Sequence, residues 1–526
     1  MRSIAKPALA VIAAAAAAVS LAGCSNGGGN EAVAAEGKPF TVALSTDPGS
    51  LDPHASAVSA LFAVSRYAYD PLVSINLDGE ISSALAKDWS LDGLTATLTL
   101  NEGITCSDGA DFTAQTAADN ITWIEDPANQ SPFLGAFLPA GMTATAEGDT
   151  LTLALAAPAP FLFQSLSNLG MVCDAGLADR STLAAGTNGT GPYVLTEAVP
   201  NDHYTYELNE DYAWGPGGLT AEKEGLPSSV TARIIGNETT AANLLLSGEI
   251  NAVQVVGPDA ERLDAAKLFT QETPALLGEQ WYNHTAGHPT ADPAVRLALT
   301  QSLDLAELQK VLTSGKGGPA TQLAVIPPTG CTVDSVSGNI PEFDVDAAKA
   351  ALDEAGWAEG ADGVRAKDGQ KLSITFLYDS TLGTGGAAAA ELAVAAWQGI
   401  GIEVTAAQQD STTISDNLFG TGAWDVAWEP LNINSPDQII GFLSGPAAPE
   451  GVNFSGIQND EYTALVTEAM GMVGSEGCDT WADAEAALFT AADVVPFANN
   501  FVKTYGAGAE FAVVGNIVPT SITMLD

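Results

Sequence analysis

The segment 231–256 constrains the fold of this chain more than any other. ARII reads as a short strand, Asn237 to Ser247 as a helix with Ala and Leu on one stripe, and INAVQVV as a returning strand. Gly248 sits where a left-handed C-cap is wanted. A second unit of this kind follows: LSITFLY at 372–378, a helix around 386–398 and a strand at 402–406. Strands alternating with helices predict mixed α/β lobes. Elsewhere FTVAL from Phe40, LVSIN closed by Asp78-Gly79, ATLTL at 96–100 and TLTLAL at 150–155 alternate as strands do. Apolar residues at helical spacing over 56–69 predict a helix after the DPGSLDP turn. Asp292-Pro293 opens another through VRLALTQSL, with an Asp cap and Pro in the first turn. No internal repeat of fixed period is present.

The amino terminus reads as a secretory leader. Arg2 and Lys6 are followed by an Ala/Val/Leu/Ile-rich stretch at 8–20 and by LAGC at 21–24. The apolar run is short for a bilayer span. Cysteine directly after Leu-Ala-Gly resembles the bacterial lipobox, in which the sulfur of Cys24 receives diacylglycerol and the chain is cut before it. The mature protein is thus expected on the outer face of a membrane, held by acyl chains. Residues 25–37 (SNGGGNEAVAAEG) read as a flexible tether. About 500 residues then remain, enough for two or three packed lobes.

Lys and Arg total 18 against 64 Asp and Glu, a net charge of −46. That excludes nucleic acid and anionic lipid headgroups as partners, because phosphate binding needs clustered positive charge. Beyond Cys24, four cysteines remain: Cys106, Cys173, Cys331 and Cys478. An even number in an exported chain predicts disulfides, with three possible connectivities; four buried free thiols are the rival assignment. No CxxC spacing occurs.

Catalytic and cofactor signatures are weak. His284 and His288 have i, i+4 spacing, but Gly287 and Pro289 argue for a surface loop, so no metal site is expected. GTNGTG at 186–191 lacks the following Lys-Ser/Thr of a phosphate loop. There is no GxSxG elbow, and four histidines in all give a Ser-His-Asp triad thin support. Neither cofactor nor enzymatic activity is expected.

Several ordered segments carry a resemblance. LDPH at 51–54, YDPLVSINLDGEISSALAKDWSLDG at 69–93 and TCSDGADFTAQTAADNITW at 105–123 resemble the extracellular solute-binding proteins of peptide-type ABC importers, family 5. So do GTGPYVL at 189–195, NEDYAWG at 209–215, LLLSGEINAV at 244–253, DPAVRLALTQSLD at 292–304, AWDVAWEPLN at 423–432 and ADVVPFANN at 492–500. The resemblance implies a two-lobed periplasmic-binding-protein-like clamshell of class II type. Lobe I would combine 38–79, 189–279 and 495–526, with 80–188 as an extra subdomain, and lobe II would be 280–494. Crossovers would fall near 279–281 and 493–497. On this layout the pairs Cys106–Cys173 and Cys331–Cys478 each stay within one lobe and are favoured.

The resemblance also implies cargo, partners and site. Oligopeptides or dipeptides would be bound between the lobes by hinge closure and delivered to ABC permease subunits with their ATPases. A monomer is expected, touching the membrane through its lipid only. Trp424 and Trp428 are candidate aromatic walls, with core packing the other reading for each. Alternation puts them with Val426 on one face. Asn432 matches the position at which di- and oligopeptide receptors place an aspartate for the ligand's ammonium; an amide lacks that charge, and Glu429 is the neighbouring substitute. Trp281 and Asn283 would line the cleft near the hinge, and Ser56 and Ala57 at the start of the first helix would offer N–H groups to a carboxylate. A non-peptide solute such as a nickel chelate, opine or sugar-like ligand is the alternative cargo. A secreted lipoprotein hydrolase, sensor or chaperone is the alternative class.

Overall fold

Alternation in Pro39–Leu44 (β1) and Ser229–Ile234 puts Phe40, Val42, Val230 and Ala232 on one buried face, where they pack with Tyr67 and Tyr206. The computed structural model describes residues 34, 37–56, 58–76, 79–135, 137–256, 259–448 and 450–526. The leader with Cys24, and the candidate Ala57, lie outside the described residues. Residues Ala34–Asp526 form one compact unit.

Ten strands make the main sheet: β1, then Tyr193–Val199 (β2), His203–Leu208 (β3), Ser229–Ile234 (β4), Ala252–Val255 (β5), Phe269–Tyr282 (β6), Ser373–Asp379 (β7), Glu403–Gln409 (β8), Val426–Trp428 (β9) and Val494–Gly506 (β10). Their spatial order is β8-β7-β9-β6-β10-β5-β1-β4-β3-β2. Parallel pairs (β1 with β4 and β5; β7 with β8 and β9) flank a long antiparallel pair, β6 with β10.

The helices begin and end where local chemistry dictates. Ser59–Ala68 (α1) starts three residues later than apolar spacing alone predicts, which leaves Ser56 half-buried in the preceding turn and outside the helix. Glu238–Ser247 (α2) is capped by Asn237, whose side chain accepts the Thr240 N–H at 2.8 Å, and stops at Gly248 with φ +76°. Pro293–Gln301 (α3) is capped by Asp292 accepting the Ala294 N–H at 3.0 Å. Gly383–Gly399 (α4) connects β7 to β8 and completes a strand–helix–strand unit. The glycine-rich run at 186–191 has a packing reason: a Cβ on Gly189 would lie 2.4 Å from the Ala68 carbonyl oxygen, and Gly191 donates its N–H to that oxygen at 3.0 Å.

A separate antiparallel sheet (Ala86–Asp92, Thr95–Leu100, Thr150–Ala154, Thr143–Glu147) covers its own core of Leu98, Ile121 and Leu151 beneath the helix Ala114–Glu125. That helix begins in a reciprocal box between Thr113 and Thr116.

The structure joins Cys106 to Cys173 and Cys331 to Cys478, the pairing favoured from the sequence. Their loops span 67 and 147 residues. In the chain-entropy account each contributes at most roughly 4–5 kcal/mol. Cys331→Ser with Cys478→Ser is therefore expected to lower the calorimetric melting temperature, with reductant destabilising the wild type by more than the variant, which keeps only the Cys106–Cys173 bridge.

Candidate functional site at the crossover strands

Strand directions alone locate a cleft. β6 pairs with β10 from Phe269–Gly506 to Trp281–Val494, and the register slips at Leu276, Gly278 and Glu279. β5 runs antiparallel to β10, with Ala252 opposite Gly506 and Val255 opposite Lys503, so its carboxyl end points toward the middle of that pair. β1 runs parallel to β5. From the other side, β9 runs antiparallel to β6 with Val426 opposite Tyr282 and Trp428 opposite Gln280, and β7 runs parallel to β9. The carboxyl ends of two parallel strand sets thus oppose each other across the slipped register. Carboxyl ends of open α/β sheets are where ligands bind.

At the β1 and β4 ends lies a cavity of about 290 Å³, lined by Ser45, Thr46, Ser59, Gly236, Gln254 and Thr504 among others. Among the described residues its lining holds no lysine, arginine or histidine. Val64, Val253, Val513 and Ile517 line it beside these polar groups, and Glu238 adds a carboxylate, so it suits a ligand of mixed polarity without a demand for negative charge.

The opposing ends carry carboxylates. Asp379 closes β7 and Glu429 follows β9. The loop 429–434 is laced onto β6: Glu279 Oε2 accepts the Leu431 N–H at 2.7 Å, and Trp281 Nε1 donates to the Glu429 carbonyl at 2.9 Å. Asn432 uses both ends of its amide on the Leu276 main chain, accepting at 2.8 Å and donating at 3.2 Å. Burial, and then the charge of Asp379, pushes Glu429 up to about 7. Burial likewise raises Glu485, on helix Cys478–Thr490 (α5), to about 7. It holds Glu279 well above the carboxylate range. These native values exceed the unfolded ones near 4.3. The folded state therefore binds more protons in between, and this contribution to stability is present at low pH and is lost as pH rises toward about 7. Glu485→Gln is expected to flatten the fall in melting temperature between about pH 5 and pH 8, measured by calorimetry.

The residues singled out from sequence are gathered here, but not as expected. Trp424 and Trp428 are buried and do not share a face. The chain turns at Asp425, whose carboxylate accepts the Thr375 N–H at 2.7 Å, so strand alternation begins only at Val426. Trp424 packs near Phe454 and Trp281, whereas Trp428 lies between Phe376 and Phe497 with its N–H donated to Gln280. Neither is an accessible aromatic wall. Trp281 is likewise buried, against Phe454. Asn283 is buried too and donates to the Trp424 carbonyl at 3.0 Å. Asn432 is exposed but spends its amide on Leu276, and Glu429 is half-buried, not solvated. His284 and His288 lie in a loop as expected, yet their rings turn inward. His288 Nδ1 lies 2.8 Å from Asp425 Oδ1, and burial, with the nearby Arg296 charge, pushes His284 down to about 3. Among the described residues no cluster of His, Cys, Asp and Glu is arranged to hold a metal ion. Glu279, Asp379 and Glu485 escaped sequence reasoning; a glutamate inside the apolar strand LLGEQWY was the one available signal. Trp428→Ala is expected to cost about 3–5 kcal/mol of stability, read as early urea unfolding, with unchanged binding per folded molecule.

Residues 80–445 match the profile of the bacterial extracellular solute-binding proteins, family 5. The chain belongs to this family. It is 27% identical over 466 residues to the nickel-binding periplasmic protein of Escherichia coli K12, covering 82% of this chain and 83% of that one. It is also 27% identical over 332 residues to the glutathione-binding protein GsiB of Escherichia coli O1:K1, covering 61% and 62%. In fold it is similar to the unliganded open form of the periplasmic murein tripeptide-binding protein MppA, with TM-score 0.78, 22% identity and coverage of 95% and 99%. The architecture is the two-lobed clamshell of substrate-binding proteins. This family-5 member is a substrate-binding protein of the ABC-importer type, and its family acts outside the cytoplasm as receptors, not enzymes. Among the described residues no helix is long and apolar enough to cross a membrane.

Proposed function

We propose that this family-5 receptor is anchored through a lipid on Cys24 and captures short peptides by clamshell closure, handing them to its permease. The observation that carries this reading is the head-on arrangement of parallel strand ends across β6 and β10. One lobe would comprise 38–79, 189–279 and 495–526 with 80–188 as its added subdomain, and the other 280–494. Rotation about the slipped register at Gly278 would bring the cavity beside Ser45 and Ser59 against the loop 429–434. Extended peptide main chain suits such opposed strand ends, and the leader-like start supplies the anchor.

A second reading is a non-peptide solute, and one observation favours it. The amide of Asn432 is occupied by the Leu276 main chain, so the loop offers no free carboxylate at that position for a peptide ammonium. The names of the nickel-binding and glutathione-binding relatives define the alternatives worth trying.

Calorimetry and small-angle scattering with di- and tripeptides, glutathione and nickel–histidine test both readings. One class is expected to bind saturably and to reduce the radius of gyration without turnover. Silence across the whole panel by both methods would sink the capture mechanism, and compaction by the nickel complex alone would replace peptide as the cargo.

A further inference from the structure

The cavity at the β1 and β4 ends holds two hydroxyls that the fold leaves unused. Tyr67 of α1 and Thr504 of β10 both line it and are 2% and 5% exposed. Neither hydroxyl has a hydrogen-bond partner among the described residues. Hydroxyls buried to the same degree elsewhere are engaged within the protein: Tyr193 donates to the Pro227 carbonyl at 3.2 Å, Tyr212 to Asp70 at 2.9 Å and Thr290 to the Asn283 carbonyl at 2.7 Å. Tyr67 is held in place by Tyr193, edge-on at 6.0 Å, and by Tyr206 at 5.5 Å. Tyr206 also has an unpaired hydroxyl, but it is sealed in the core and does not line the cavity. Thr504 stands opposite Gln254 in the β5–β10 ladder, so the two side chains share a face of the sheet, and Gln254 lines the cavity too.

A buried hydroxyl without a partner is destabilising, and a ligand that supplies the partner removes that loss. Around these two hydroxyls the walls are aliphatic, with Ala60, Ala63, Val64, Val253, Val513 and Ile517. The volume of about 290 Å³ is roughly twice that of a cavity known to accept benzene, ~150 Å³. No lysine, arginine or histidine lines it among the described residues, and the chain's net charge of −46 repels a further anion. Glu238 is half-buried and already accepts the Val256 N–H at 3.1 Å. A carboxylate entering here would be desolvated with no counter-charge, and an ammonium would exchange water for aliphatic walls and neutral hydroxyls.

We propose that this cavity is a specificity pocket for a neutral, ring-sized apolar group bearing a hydroxyl or carbonyl, and that Tyr67 and Thr504 are the residues that select it. Its place on the ligand cleft rests on the clamshell reading above; its selectivity follows from the lining alone. A substituent that reaches either hydroxyl gains a hydrogen bond sheltered from water, while the ring displaces water from Val64 and Val253. A cargo presenting such a group at this wall is therefore held in preference to the same cargo with an acidic or basic one.

Benzyl alcohol, toluene, benzoate and benzylamine share one ring and differ in one substituent, so they test the pocket without knowledge of the cargo. Each is titrated by ligand-observed NMR into the wild type, Tyr67→Phe, Thr504→Val and Ala63→Phe, with the melting temperature reporting that each variant is folded. Benzyl alcohol is expected to bind the wild type saturably and at least ~10-fold more tightly than benzoate or benzylamine. Loss of either hydroxyl is expected to weaken benzyl alcohol about 3- to 10-fold and to leave toluene within about 2-fold, a difference that a merely structural role would not produce. Ala63→Phe, which fills the cavity, is expected to abolish both. The two hydroxyl variants are independent, so either one decides should the other not fold. Equal or tighter binding of benzoate or benzylamine overturns the proposal. So does absent benzyl alcohol binding, wild-type affinity for it in the hydroxyl variants, or undiminished binding in Ala63→Phe. Benzyl alcohol bound as expected with silence from the peptide panel removes peptide capture and leaves the pocket standing; the reverse removes the pocket and leaves capture standing.

Discussion

Everything in this molecule hangs on two long strands that lie antiparallel, β6 and β10. They alone extend past both sets of parallel strands, and their pairing fixes which way every other strand of the sheet runs. Because β5 and β9 each run antiparallel to one of them from opposite sides, the two groups of carboxyl ends are obliged to face each other. The cleft is thus a consequence of hydrogen-bond polarity in a single sheet, prior to any particular side chain. Gly278 marks the weak point: a Cβ there would lie 2.6 Å from the Phe497 ring, so the close approach that accompanies the register slip is open only to glycine.

Around that pair the molecule combines rigid packing with an unusual polar junction. The tryptophans nearest the crossover belong to the two cores that grip β6 from its opposite faces, Trp281 and Trp424 on one side and Trp428 on the other. They make the strand a stiff beam. Glu279, Glu429 and Glu485 have no cation paired to them among the described residues, and burial raises each above the usual carboxylate range. A receptor that must open and close benefits when its ends are stiff and its middle is adjustable.

The overall strongly acidic surface finds its place in this picture as solvation, and the cavity repeats the theme, with no basic side chain in its lining among the described residues. Family membership accords with the order of motifs along the chain, and the TM-score of 0.78 to an open-form tripeptide receptor accords with the opposed strand ends.

Much was legible in the residues themselves. Period-2 alternation, the Asn237 and Asp292 caps and Gly248 define elements whose causes act within a few residues, so local reading located them to within a few positions. The order of family segments carried the architecture. What sequence could not supply was the face on which each side chain sits when the chain turns just before a strand. Asp425 binds Thr375, 50 residues away, and thereby separates Trp424 from Trp428. Likewise the burial of Glu279, the inward turn of His284 and His288, and the clamp from Asn432 to Leu276 each depend on partners brought in by sheet pairing over 130 residues or more for the last two links. Short-range periodicity and capping are properties of a segment; burial and charge state belong to the fold, because a side chain's dielectric surroundings are set by whatever distant strand is packed against it.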